Sequence, residues 1–184
     1  MDKGGEAYYR FLQGDKGGMV DIIKLYSDGL TLYINEFTDN IGLAEEIMEE
    51  VFFRLTVKKP RFAGKSSFKT WLYAIGRNTA ADCLRKRSKL SDKPVDEYAD
   101  LADLKSLEEN YLAQERKIAL HRAMRRLREE YRQVLYLTFF EGFSNAETAR
   151  IMKKSKRQIE NLAYRAKGSL RTELEKEGIT YEEL

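Results

Sequence analysis

One cysteine, Cys83, and one histidine, His121, are all that the 184 residues hold of either type. A single thiol excludes an intramolecular disulfide, and the two residues together cannot supply a Cys/His zinc site. Proline occurs twice and glycine 12 times, too sparsely for a sandwich or barrel built on tight turns. No apolar run approaches the ~20 residues that cross a bilayer. Met1–Gly18 mixes acids and bases and lacks the apolar core of a secretory signal. Those absences predict a cytoplasmic protein without metal, cofactor, small-molecule substrate or membrane insertion. What remains is 42% hydrophobic and 34% charged with a net charge of only +3, the composition of a helix-rich chain whose charge matters by placement.

Apolar residues recur at helical spacing along most of the chain. Val20, Ile23, Tyr26, Leu30 and Ile34 form one stripe between Gly18 and Phe37. Ala44, Ile47, Met48, Val51, Phe52 and Leu55 form a second, with Glu45, Glu46, Glu49 and Glu50 opposite. Pro60 and Gly64 make 56–67 a loop. A third helix is expected from Ser67 to about Arg87, apolar along Phe68, Leu72, Ile75, Thr79 and Cys83. Residues 91–110 then carry seven acids against Lys93 and Lys105, with Pro94 among them. This reads as a solvated acidic linker. The expected architecture is all-α: an N-terminal helical domain (1–90), a linker (91–111) and a C-terminal domain (112–184).

The C-terminal half restarts the pattern. Leu112–Glu130 has a narrow stripe of Leu120, Met124 and Leu127, and Tyr131–Glu141 is apolar enough to be buried until Gly142 breaks it. Ser144–Glu147 and Ser155–Gln158 are two capping boxes around a turn at Lys153-Lys154, the spacing of a helix-turn-helix. In the second helix Ile159, Leu162, Ala163, Ala166 and Leu170 face inward, leaving Arg157, Glu160, Asn161, Tyr164 and Arg165 outward. Seven cations and one acid lie between Lys153 and Arg171. Capped helix N-termini and lysines such as Lys156 hold phosphates, while Arg and Asn read guanine and adenine edges. A solvated basic helix is the plainer alternative; the two caps and the polar outward face favour DNA.

A second basic tract, Arg61–Lys89, has eight cations and one acid, Asp82. Lys69, Tyr73 and Arg77 share a helix face, with Arg85 two turns on. Cations bind phosphates and interleaved aromatics stack on unpaired bases; Asn78 beside the stripe suits a base edge. Gly64-Lys65-Ser66 is not a phosphate loop, because Lys59 stands where the motif needs its first glycine. The four glutamates of the second helix are no catalytic pair without burial to split their pKa values. They make a solvated face or a docking surface for a basic protein.

These residues resemble the bacterial extracytoplasmic-function (ECF) sigma factors. The family's acidic D-A-E-D-x-x-Q-E-V-F helix is matched by Leu43–Phe52, and its F-x-G-x-S-S-F-x-T-W-L-Y-x-I-A-R-N-x-x-x-D-x-L-R segment by Phe62–Arg85. Its Y-R-x-V-L, E-G-x-S and E-x-A elements are matched by Tyr131–Leu135, Glu141–Ser144 and Glu147–Ala149. The resemblance implies a non-enzymatic specificity subunit that binds core RNA polymerase and promoter DNA, in many members under an anti-sigma factor. Glu45, Glu46, Glu49, Glu50 and Phe53 would meet the polymerase. Phe62, Ala63, Gly64, Lys65, Ser66 and Asn78 would border a pocket for a flipped minus-ten base, with Lys69, Tyr73, Arg77, Arg85 and Arg87 along the strand. Ser155, Lys156, Arg157, Glu160, Asn161, Tyr164 and Arg165 would read the minus-thirty-five element. Departures are Leu43 for Asp, Glu49 for Gln, Gly76 for Ala, Lys153 for the turn glycine and Glu160 for a cation. A left-handed Lys153 costs on the order of 1 kcal/mol. A stand-alone helix-turn-helix regulator would leave Phe62–Arg87 unexplained, and a plain helical adaptor would leave both basic surfaces so.

Overall fold

A computed structural model describes residues 2–90 and 111–179, with side chains at 2–88 and 118–179. Among them every regular element is helical. The expected linker falls outside these residues except for Tyr111. The polar lead-in turns out to hold a helix, α1 (Lys3–Leu12). Asp2 explains its start: the carboxylate accepts from the Gly5 amide at 2.8 Å, satisfying a donor the helix itself leaves open. Ala7, Tyr8 and Phe11 bury its apolar face.

Helix α2 (Gly17–Thr38) ends at Asp39, left-handed at φ 47°. Its buried face is Met19, Ile22, Leu30, Tyr33, Ile34 and Phe37. The expected stripe was set one residue late at its start, since Val20 and Ile23 are exposed. Helix α1, which the sequence reading lacked, is the reason: it packs against the start of α2, where a Cβ on Gly18 would lie 2.2 Å from the Ala7 carbonyl oxygen, and Met19 and Ile22 are buried. Helix α3 (Ile41–Lys58) follows, capped by Asn40, and buries the predicted residues except the half-covered Met48. It runs to Lys58, so the loop is 59–67 and shorter than the sequence suggested. Helix α4 (Phe68–Leu90) crosses α2 closely at Gly76, where a Cβ would lie 2.7 Å from Leu30 Cδ1. Alanine there would press on a core leucine, so this departure from the family has a packing cause.

The second half holds α5 (Tyr111–Arg125) and α6 (Glu129–Leu135). A π-helical turn, Tyr136–Phe140, continues α6. The wider turn swings Phe139 and Phe140 out to 57% and 56% exposure, correcting the expectation that all of Tyr131–Glu141 is buried. Then come α7 (Asn145–Met152) and α8 (Lys156–Lys176), both with complete capping boxes. Lys153 between them is left-handed at φ 54°, as the turn requires. One apolar cluster runs through both halves. Tyr33 of α2 stacks on Tyr73 of α4 at 5.5 Å and lies 6.2 Å from Tyr136.

Candidate nucleic-acid interface

The loop 59–67 is held from three sides. Asp2 reaches past α1 to accept from the Phe68 amide at 2.6 Å, capping α4 as well. Tyr8 donates its hydroxyl to the Pro60 carbonyl at 2.8 Å. The Phe62 ring sits 5.5 Å from Phe68 and 5.2 Å from Trp71, and Tyr8 joins the same aromatic group. Such clustered rings give area burial plus favourable quadrupole geometry. Ala63, Gly64 and Lys65 stay exposed on this anchored base, with Gly64 left-handed at φ 66°. Phe62 is half-buried and serves as the loop's anchor. Sequence reasoning missed Asp2 and Tyr8. Their signal was an Asp before a short run with Ala7, Tyr8 and Phe11 at helical spacing.

Along α4 the predicted residues divide. Asn78 is half-buried, and Arg85 and Arg87 are exposed. Arg85 pairs with Asp82 at 2.9 Å. The stripe expected to face outward does not: Tyr73 is 1% exposed. Its ring lies 5.0 Å edge-on from Phe143 of the C-terminal half. Burial, then the nearby Glu141, pushes its pKa far above the ordinary phenol range. Lys69 pairs with the Glu141 carboxylate at 2.8 Å and donates to the Glu141 carbonyl at 2.9 Å. It also lies over the Phe143 ring at 4.8 Å. The Arg77 guanidinium has a buried Nε without a hydrogen-bond partner. The stripe is therefore an interface between halves here, because α7 and the turn before it pack onto α4.

Further polar contacts close the same seam. Glu147 uses one carboxylate oxygen for its own helix cap at Ser144. The other accepts from Thr70 at 3.1 Å and Ser67 at 3.4 Å. Burial pushes the Glu147 pKa up, but these hydrogen bonds together hold it below its ordinary value. Arg150 donates to the Lys65 carbonyl at 2.9 Å. At the far end Arg132 of α6 grips the C-terminus of α2. It donates to the Glu36 carbonyl at 3.0 Å and to Asp39 at 2.9 Å. Its Nε lies 3.5 Å from the Glu36 carboxylate. Burial lifts the Glu36 pKa to about 7, opposed by the Arg132 charge.

The recognition side looks different. On α8 Arg157, Glu160, Asn161, Tyr164 and Arg165 are all exposed, Tyr164 at 81%. Ile159 and Ala166 are buried, and Leu162, Ala163 and Leu170 are half-covered. This matches the expected division of faces. Ser155 accepts from the Gln158 amide at 3.2 Å, and Gln158 accepts from the Ser155 amide at 2.7 Å. Lys156 is exposed within 3.8 Å of Glu160. Beside this face a cleft of about 280 Å³ lies between Arg128, Glu130, Lys154 and the α8 residues Asn161 and Arg165. Lys154 pairs with Glu130 at 2.8 Å, and Arg128 stacks on Tyr131 at 4.8 Å. The hydrogen bond from Lys154 holds the Glu130 pKa below its usual value against partial burial.

On α3 the four glutamates Glu45, Glu46, Glu49 and Glu50 are exposed, as is Phe53 at 61%. Glu50 pairs with Arg54 at 2.5 Å, and Arg87 approaches Glu46 at 3.7 Å. No group of three or more metal-ligating side chains occurs among the described residues. No described helix is long and apolar enough to cross a membrane.

Two family models match the chain: sigma-70 region 2 over residues 22–90 and sigma-70 region 4 over residues 117–170. Among similar proteins is the RNA polymerase sigma factor SigZ of Bacillus subtilis, 27% identical over 84% of this chain and 86% of its own. The ECF RNA polymerase sigma factor BldN of Streptomyces coelicolor is 32% identical over 77% of this chain, which spans 54% of that longer protein. Two solved structures share the fold. CnrH, in complex with the cytosolic domain of CnrY, has a TM-score of 0.68 at 17% identity, covering 95% of this chain and 98% of that one. RpoE of Bartonella quintana, in complex with the anti-sigma factor NepR, has a TM-score of 0.68 at 23% identity, covering 83% and 94%.

Proposed function

The chain belongs to the ECF sigma factors of the sigma-70 family, and on that membership we propose a division of labour among its surfaces. It is a sigma factor: it binds core RNA polymerase and directs promoter recognition, melting and transcription initiation. The α3 face of Glu45, Glu46, Glu49, Glu50 and Phe53 docks on polymerase. The anchored loop Phe62–Ser66 with Asn78 takes an unstacked minus-ten base, and Lys69, Arg77, Arg85 and Arg87 follow the strand. The α8 residues Ser155, Lys156, Arg157, Glu160, Asn161, Tyr164 and Arg165 read the minus-thirty-five element. Residues 1–90 and 112–184 act as two domains on an acidic tether, in the cytoplasm and without catalysis.

The observation that carries this reading is α8: a fully capped N-terminus with five polar or aromatic side chains presented together on its free face. Helix N-termini hold phosphate while Arg and Asn pair with base edges. Glu160 on that face accepts from a cytosine amine or repels a phosphate brought too near. Melting follows from binding: unstacking a base costs a few kcal/mol, offset by the contacts it gains at the anchored loop. An anti-sigma factor is a further partner, as in the complex of RpoE with NepR. An apolar groove of about 260 Å³ beside Phe139, Phe140, Leu120 and Leu174 is the place for its apolar side chains. Run-off transcription with core polymerase tests the whole. Specific transcripts that need this chain are expected; none on any template would reject the reading.

A further inference from the structure

Resting on the reading of the Phe62–Ser66 loop and Asn78 as the minus-ten pocket, we infer that Asp2 and Tyr8 are its positioning residues: α1 is a latch that holds the loop in shape for the strand without touching DNA. All of α1 lies ahead of residues 22–90, the span matched by sigma-70 region 2. The two carboxylate oxygens of Asp2 go to two different helices. One accepts from the Gly5 amide at 2.8 Å and starts α1; the other accepts from the Phe68 amide at 2.6 Å at the start of α4. A carboxylate is favoured at both places, because each helix leaves its first amides open and carries partial positive charge at that end. An asparagine there would turn its NH₂, a donor, toward one of the two amides.

Close packing seats the latch. A Cβ on Gly4 would lie 2.6 Å from Phe68 Cδ1, so the missing side chain is what lets α1 lie this near α4. One turn on, Tyr8 is 1% exposed, with its ring 5.4 Å from Phe68 and 5.6 Å from Trp71. Its hydroxyl donates to the Pro60 carbonyl at 2.8 Å. Pro60 and Phe68 bracket the loop, so α1 holds one end through Tyr8 and the other through Asp2. These ties draw on residues 2–71 alone and use none of the C-terminal half. Between them Ala63, Gly64 and Lys65 stay exposed. Ordering such a segment at the moment of capture would weaken binding, and a loop held beforehand avoids that cost.

The test uses the full chain with core polymerase, on promoter templates mapped by run-off transcription, and reads the permanganate reactivity of minus-ten thymines. Asp2→Asn keeps a good cap for α1 and removes the tie to α4. Tyr8→Phe keeps the ring and removes the tie to Pro60. Glu6→Gln makes the same charge change as Asp2→Asn at an exposed site of α1. Each single variant is expected to lower reactivity by roughly threefold and the double variant by about tenfold. Assembly with core polymerase is expected to stay at the wild-type level in all of them, and Glu6→Gln to match the wild type throughout. Assembly lost in step with reactivity would make the two residues merely structural and overturn the positioning role. Wild-type reactivity in the double variant, beside a loss in Asn78→Ala, would overturn the latch and leave the pocket standing. Wild-type reactivity in both would overturn the pocket, and the latch with it.

Discussion

The two basic tracts of this chain carry similar charge and opposite exposure. Arg61–Lys89 and Lys153–Arg171 are both dense in lysine and arginine. On α8 the polar outward face is open, with Tyr164 81% exposed; on α4 Tyr73 is 1% exposed and Lys69 is paired. The difference lies in what each helix has opposite it. Among the described residues nothing buries the outward face of α8, whereas α4 meets the π-helical turn and α7 with the glutamates Glu141 and Glu147. Basic charge therefore marks a surface for an anionic partner without saying whether that partner is DNA or the chain itself.

The comparison breaks most severely at Arg132. Its side chain is 8% exposed and ties α6 to the end of α2. Removing one member of a buried pair leaves the other uncompensated. Arg132→Ala is expected to cost about 3 kcal/mol of stability in urea unfolding, with the halves separating first. A cost within error of zero would show that this clamp contributes nothing.

Glu36 sharpens the same end of the seam through pH. Its pKa is raised from 4.5 to about 7 by burial. Below 4.5 it is neutral folded or unfolded and costs nothing; above about 7 it is charged in both and the cost is complete. Stability from this group is thus lost as pH rises between those values, by roughly 2–3 kcal/mol. Melting temperatures from pH 5 to 8 are expected to fall less steeply in Glu36→Gln than in the wild type. Parallel curves would place Glu36 in water.

On the open surface the effects are smaller and local. Arg165→Ala is expected to weaken duplex binding by roughly 1–3 kcal/mol, unevenly across duplexes selected by the protein from a random library. A uniform loss would reduce Arg165 to a phosphate contact. Ser155→Ala removes the α8 cap and is expected to cost about 1 kcal/mol of stability, leaving any strand binding by α4 unchanged. Calorimetric unfolding checks the first part and single-strand titration the second.

Much of this was legible in the sequence where the signal is local. The capping boxes at Ser144 and Ser155, the turn at Lys153 and the inward set of α8 each follow from residues within a few positions. So does the apolar face of α3. Contacts between distant residues were not legible. Periodicity placed Tyr73 on a stripe with Lys69 and Arg77, correctly, but could not say that Phe143, 70 positions on, would cover it. Glu141 read as part of a motif, with no sign that it would neutralise Lys69. Helix α1 escaped because its apolar residues are few and its cap, Asp2, does half its work at Phe68. Phe139 and Phe140 escaped because their burial was expected from the apolar composition of the stretch alone, which gives no sign of the π-helical turn that carries them outward.

The central claim is that one chain docks polymerase through α3 and captures the minus-ten strand through the loop and α4. Permanganate footprinting of complexes with core polymerase measures it directly, on promoter templates mapped by run-off transcription. Asn78→Ala is predicted to leave assembly with core polymerase intact while thymine reactivity in the minus-ten region falls severalfold. Wild-type reactivity in that variant, together with wild-type transcription, would contradict the account.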